Sequence, residues 1–343
     1  MATFDALRDL PLRVDEVATD VLSLDVSPEF TRRTTIVRLR GEGEEGVGED
    51  VTYDTREHDW FPSLPVGDFT LGSFSAAIED VALFRAAPEQ HAYLDYRRWA
   101  IESAALDLAL RQARTTLGDA VGREPRAVTF VVSTRATSLD RVLELYPSTR
   151  FKLDPTPEWT DEFVGALAAR GVVDVVDLKG QYHGTPVDTP PDRELYRRVA
   201  ERFDEAWIED PALTPETDAV LAPHRNRVTW DAPIHSWGDV EALPFPPRCL
   251  NCKPSRFATV ERLFEFYDRC AERGIRLYGG GQFELGPGRG QIQLLASLFH
   301  PDSPNDVAPS PYNGPLRPGL PTSPLALVVG AGFRAEAAER TRA

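Results

Sequence analysis

The chain has 343 residues and a mass of 38.1 kDa, enough for two domains or for one barrel with an extension. A formal net charge of −16 and a pI near 4.9 argue against nucleic acid or an anionic membrane as partner, since either needs a cationic surface. No run approaches the roughly 18 apolar residues of a membrane span, the stretch from Met1 to Leu12 holds no signal-peptide core, and three cysteines do not make a disulfide framework, so a cytoplasmic protein is expected.

From about Val14 to Leu110 the sequence predicts an α+β unit. The alternating run TTIVRLRG, broken by the glycine-rich GEGEEGVGED, reads as an antiparallel hairpin. A helix is predicted from about Tyr96 to Arg114, with Ile101, Ala104, Ala105 and Leu108 on one face. From Ala127 onward strands alternate with helices, the pattern of a parallel sheet. Strands are predicted at 129–135, 150–154, 172–178, 206–210, 227–231, 249–253 and 276–280. Between them TPEWTDEFVGALAARG and SRFATVERLFEFYDRCAERG are the clearest helices, each closed by a glycine suited to a C-cap. An eighth strand is weakly marked near Asn305 to Ala308. After a stretch rich in proline and glycine, PLALVVGAGF is expected to return to the first unit.

Charged residues end one short apolar run after another: Lys152, Asp177, Glu209, Asp231, Lys253 and Glu284, at intervals of 25, 32, 22, 22 and 31 residues. A strand, a loop and a helix fill about that length, and the C-terminal strand ends of a parallel barrel share one mouth. Three carboxylates flanked by two lysines are therefore expected to meet. In an extended strand Asp174 and Asp210 face away from Asp177 and Glu209, which makes them supporting groups. Cys249 and Cys252 lie three apart on a strand, so their sulfurs point to opposite faces, and like Cys270 they are read as packing residues. His183, His224, His235 and His300 show no metal-ligand spacing. Gly286, Gly288 and Gly290 do not follow a dinucleotide fingerprint and are expected to let the backbone approach a substrate carboxylate at a helix N-terminus.

In the order GVGED, AIESAALDLALR, FKLD, DLKG, WIEDP, TWDAP, NCKPSR and GGQFELGPGRG, the chain resembles the enolase superfamily over nearly its whole length. The likeness is to the muconate cycloisomerase and o-succinylbenzoate synthase branch. It implies an α/β fold: a modified (β/α)7β TIM-like barrel at 126–313 under an N-terminal α+β capping domain at 1–125, completed by about 314–343. It also implies Mg²⁺, or Mn²⁺ in its place, on Asp177, Glu209 and Asp231, with Lys152 and Lys253 as the acid/base lysines. Asp154, Asn251, Glu284 and Gly286 would touch the substrate or support residues that do.

The implied activity is removal of the proton next to a carboxylate of a small acid to give a metal-stabilised enolate. Then follows β-elimination, cycloisomerisation or reprotonation, carried out by a lyase or isomerase. Specificity would come from capping loops near 27–31 and 46–53. The family's second strand ends in Lys-x-Lys, whereas this chain reads Lys152-Leu153-Asp154. Either Lys152 takes the second, catalytic position with Arg150 in the first, or Asp154 replaces the catalytic lysine. The second alignment motivates an alternative, a metal-binding barrel that has lost proton transfer and serves as a ligand-binding protein. HPDSPNDVAPSPYN lacks the Asp-x-Asp of dipeptide epimerases, which ranks dipeptides lower. The sequence leaves a homo-oligomer open.

Overall fold

The structure, a computed structural model, describes residues 2–338 apart from 184 and 186. Strands β1 (Pro11–Val14), β2 (Glu16–Ser27), β3 (Phe30–Gly41), β4 (Glu44–Asp50) and β5 (Gly67–Thr70) come first, followed by helices α1 (Leu71–Ala77), α2 (Ala92–Gln112) and α3 (Leu117–Val121). β2, β3 and β4 make an antiparallel sheet in that order, and β1 pairs with β5. The predicted hairpin is β3–β4. It turns at Glu42 and Gly43, both at positive φ (52° and 78°), as a tight turn matched to strand twist requires.

β4 lies directly on α2. A Cβ at Gly46 would come within 2.2 Å of the Ala104 carbonyl oxygen, and one at Gly48 within 2.0 Å of that of Ala100. The stretch 46–50, expected as a specificity loop, is thus a strand pinned to a helix; only 51–53 leaves it. Helix α2 buries Trp99, Ile101, Leu106, Leu108 and Leu110, each contributing about 1.5–3 kcal/mol of apolar burial.

The barrel alternates β6 (Val132–Thr134), α4 (Leu139–Leu145), β7 (Phe151–Leu153), α5 (Asp161–Ala168), β8 (Val173–Asp177), α6 (Arg193–Arg202), β9 (Trp207–Glu209), α7 (Pro215–Leu221), β10 (Val228–Thr229), α8 (Trp237–Glu241), β11 (Cys249–Cys252), α9 (Val260–Glu272), β12 (Arg276–Gly279) and α10 (Gly288–Phe299). All seven predicted strands are present, shorter than expected. Threonine side chains cap α5 and α9 at their N-termini, and Gly171 and Gly274 follow them at positive φ (63° and 65°).

β6 to β10 form one parallel sheet, and β11 pairs with β12. The Asn251 N–H reaches the Trp230 carbonyl at 3.0 Å, joining β10 to β11. The weakly marked eighth strand is a bridge segment: Asn305 pairs with Phe130 and Asp306 with Gly280, which closes the ring. Inside it Val175, Cys249 and Tyr278 pack together, while Cys252 belongs to the outer core under the helices, so the two sulfurs do lie on opposite faces.

β13 (Leu327–Val329) and β14 (Ala335–Ala337) pair antiparallel. Between them Phe333 packs edge-on against Trp99, centroids 6.4 Å apart. Asp107 of α2 accepts from the Phe333 N–H at 2.8 Å and from Arg334 Nε at 2.7 Å. Residues 339–343 of the expected C-terminal segment lie outside the described residues.

Candidate active site at the barrel mouth

Phe151 and Leu153 turn outward into the helix-covered core, so the residue between them, Lys152, turns into the barrel. Its Nζ stands 2.5 Å from Glu209 Oε1, 3.1 Å from Asp177 Oδ2 and 4.0 Å from Asp306 Oδ2. Glu209 also accepts from the Tyr278 hydroxyl at 2.5 Å and from Asn251 Nδ2 at 3.3 Å. Asp231 is engaged elsewhere: Lys253 Nζ lies 2.8 Å from its Oδ2, Arg256 Nη1 lies 2.6 Å from its Oδ1, and the Tyr182 hydroxyl donates at 2.9 Å.

The carboxylate group closest to a cation cage is Asp177, Glu209 and Asp210, each with an oxygen within 4.8 Å of the others. Strand alternation predicts that Asp210 faces away, and that prediction fails because Asp210 is not extended. Its φ of 50° is left-handed, which costs roughly 1–2 kcal/mol for a non-glycine residue. The turn aims its oxygens at the N–H groups of Asp231 (2.7 Å) and Ala232 (2.9 Å), so Asp210 also fixes the backbone that carries Asp231. Asp174 follows the expectation, facing Arg150 with both oxygens 2.8 Å from Nε.

Burial alone would raise the Asp177 carboxyl, but Lys152 and Lys179 bring it down to about 2. Asp231 is likewise held well below the carboxylate range, with Arg256 and Lys253 overcoming burial. Burial pushes Glu209 up to about 8 against the pull of Lys152, and burial together with Asp231 and Asp177 pushes Asp210 up to about 7. Burial would lower Lys152, yet Asp177 and Glu209 outweigh it and hold the ammonium protonated. The four acids titrate as a unit, with Glu209 and Asp210 ionising last.

Counting the rim groups Asp154 and Asp306, six carboxylates face Lys152, Lys179, Lys253 and Arg256, a formal charge of −2 when all are ionised. An all-oxygen donor set with ammonium groups already lodged in it fits a hard divalent cation such as Mg²⁺.

Of the other expected site residues, Asp154 stands at the rim, 3.6 Å from Lys179 Nζ. Glu284 does not turn to Lys253: its Oε1 accepts the Gln282 N–H at 2.6 Å and its Oε2 lies 2.9 Å from Arg289 Nη2. The backbone around Gly286 does cradle a carboxylate, but that of Glu49 on β4. Glu49 accepts the N–H groups of Leu285 (2.7 Å), Gly286 (3.0 Å) and Gly288 (2.9 Å) at the start of α10. The expected substrate subsite is therefore filled from within, and its glycines serve docking of the cap: a Cβ at Gly286 would come within 2.7 Å of Ile36 Cδ1.

Arg32 of β3 grips the same loop, donating to the carbonyls of Val51, Thr52, Gln282 and Phe283. Tyr53 lies over its guanidinium at 4.3 Å. A cavity of about 180 Å³ opens here, lined among others by Tyr53, Ser133, Gly281, Arg289 and Asp306, the last of them 4.0 Å from Lys152. A wider cavity of about 1260 Å³ lies away from the mouth, between Thr3–Ala6, α1 and α9, and its charged walls pair with one another.

Sequence reading passed over Lys179, Tyr182, Arg256 and Tyr278. Lys179 and Arg256 stand two and three residues beyond a laddered residue, in loops that show no periodicity. Tyr278 lies on β12, two residues before Gly280 at the ring's closing bridge, and was available to a count of inward positions.

Solved enolase-superfamily structures share this architecture. Muconate lactonizing enzyme from Pseudomonas putida superposes with a TM-score of 0.67 at 15% identity, covering 95% of this chain and 97% of that one. A dipeptide epimerase from Methylococcus capsulatus, complexed with Mg ion, gives 0.64 at 15% identity, covering 94% and 98%. The o-succinylbenzoate synthase of Geobacillus stearothermophilus is 25% identical over 225 residues, which span 62% of this chain and only 59% of that relative. The fold is that of enolase-superfamily structures. The chain belongs to the family described as domain of unknown function DUF8230, whose N-terminal domain matches residues 5–120 and whose C-terminal domain matches 124–314.

Proposed function

We propose that this chain is a Mg²⁺-dependent enzyme that removes the proton next to a carboxylate of a small organic acid. β-Elimination of the o-succinylbenzoate synthase kind, cycloisomerisation or reprotonation would follow. One observation carries the reading: Lys152 on β7 and Lys253 at the end of β11 stand four strands apart in an eight-membered ring, and both reach the same carboxylate cluster, one from each end of the β7–β11 arc.

When bound on Asp177, Glu209 and either Asp231 or Asp210, Mg²⁺ supplies positive charge against the negative charge that develops on the substrate carboxylate. Lys253 Nζ, as the free amine, takes the proton on its face and becomes the ammonium that pairs with Asp231, and Lys152 keeps a cation on the other. Arg256 and Tyr182 hold Asp231, and through it the position of Lys253. Tyr53 and the Arg32-clamped loop narrow the entrance and limit water.

A Mg²⁺-dependent solvent-deuterium exchange screen, read by mass spectrometry over carboxylic acids, N-acylamino acids, lactones and cyclohexene carboxylates, tests this. Exchange that disappears in Lys253→Ala supports it. The second reading, a metal-binding barrel without proton transfer, draws on the hold of Glu209 and Asp177 on Lys152. Mg²⁺ binding with no exchange of any acid would favour it.

A further inference from the structure

The mouth holds three ammonium groups, and they differ in how far they reach. The Lys152 side chain is 2% exposed and that of Lys253 9%, whereas that of Lys179 is 18% exposed. We infer that Lys179 is the residue that meets the anionic oxygen of the substrate at the rim, with Asp154 steadying it there. This rests on the reading of the site as one for small carboxylates.

Lys179 Nζ lies 2.5 Å from Asp177 Oδ2 at the floor and 3.6 Å from Asp154 Oδ1, whose side chain is 49% exposed. Its Nζ lies over the Tyr182 ring, 5.0 Å from the centroid. The ammonium thus bridges the buried carboxylates and the open edge. Three N–H donors on Nζ meet one close acceptor, which leaves donors for a ligand. Lys152, by contrast, is wedged between two buried carboxylates.

The backbone adds an independent sign. Lys179 sits at φ 55°, a left-handed conformation that glycine adopts without strain. Its N–H donates to Asp177 Oδ1 at 3.0 Å. The next residue, Gly180, packs against the backbone of Ala212, where an added Cβ would come within 2.4 Å of the nitrogen, so of these two positions only 179 has room for a side chain. A side chain kept where none is the easier solution marks that side chain as used.

The test uses the full chain and isothermal titration with Mg²⁺, then with oxalate in saturating Mg²⁺. Oxalate is a planar dianion that copies the paired oxygens of a carboxylic acid after loss of its α-proton. Lys179→Gly removes the ammonium and relieves the turn. The expected result is an undiminished Tm, Mg²⁺ affinity unchanged or tighter, and oxalate binding weakened about 10-fold or more, with partial recovery in Lys179→Arg. Oxalate bound equally by Lys179→Gly and wild type, or not bound by Mg²⁺-loaded wild type, overturns the inference alone. Failure of the wild type to bind Mg²⁺ overturns the metal-dependent reading, and the inference with it.

Discussion

From β7 round to β11 the mouth is held by ion pairs between side chains, contacts that a dissolved cation can replace. The loop after β12 is held instead by Glu49 and Arg32 of the capping strands, which bind N–H and carbonyl groups of the backbone. Exchangeable charge therefore sits on one wall and fixed framework on the other. The difference teaches where chemistry is to be expected: a site that must admit a metal and an acid keeps its ionisable groups on the wall that can rearrange, and braces them against one that does not.

Four experiments break or sharpen that contrast. Lys253→Ala, on the exchangeable wall, is expected to lower α-proton exchange by about 10²–10⁴-fold while the chain stays folded; a rate equal to wild type would remove chemistry from this wall. Glu49→Ala, on the fixed wall, leaves three N–H groups at the start of α10 without their acceptor. About 2–4 kcal/mol of stability should be lost in denaturant unfolding, with Mg²⁺ affinity unchanged; a mutant as stable as wild type would show that the cap does not brace the loop.

The third concerns pH. Glu209 and Asp210 have folded-state pKa values near 8 and 7, raised by burial. The native state therefore binds protons that the unfolded chain has released, so their contribution is fully present below about pH 4 and is lost as pH rises toward 7 and 8. Asp177, held near 2, acts in the opposite sense only below pH 4. Metal-free protein should lose on the order of 4 kcal/mol between pH 5 and 7, two protons at about 1.4 kcal/mol per pH unit each, and saturating Mg²⁺ should flatten or invert the slope, as calorimetry with EDTA or Mg²⁺ would reveal. The smallest effect is expected for Arg150→Ala. It breaks a partly exposed pair with Asp174 below the mouth, and should cost under about 1 kcal/mol and leave Mg²⁺ binding untouched.

Much of the exchangeable wall was legible in sequence, because strand ends in a parallel barrel share one level and the spacing of Lys152, Asp177, Glu209, Asp231 and Lys253 repeats the length of a βα unit. Alternation correctly separated Cys249 from Cys252. It failed at Asp210, where a left-handed residue ends the strand and with it the two-residue period. Lys179 and Tyr182 lie in a loop, where no period exists to reveal them. The fixed wall was the harder part. Glu49 and Gly286 are 237 residues apart, and neither shows in its own neighbourhood that one is the other's anion.

The return of the C-terminal segment onto α2 has a consequence for the order of events during synthesis. Asp107 waits for the Phe333 N–H, a separation of 226 residues, and Trp99 waits for the Phe333 ring. At about 5–20 residues per second on the ribosome, α2 spends roughly 10–45 s with a buried-type carboxylate and an indole uncovered. The unit translated first is completed by nearly the last residues described, so this face of α2 reaches its final packing only after the barrel has been made.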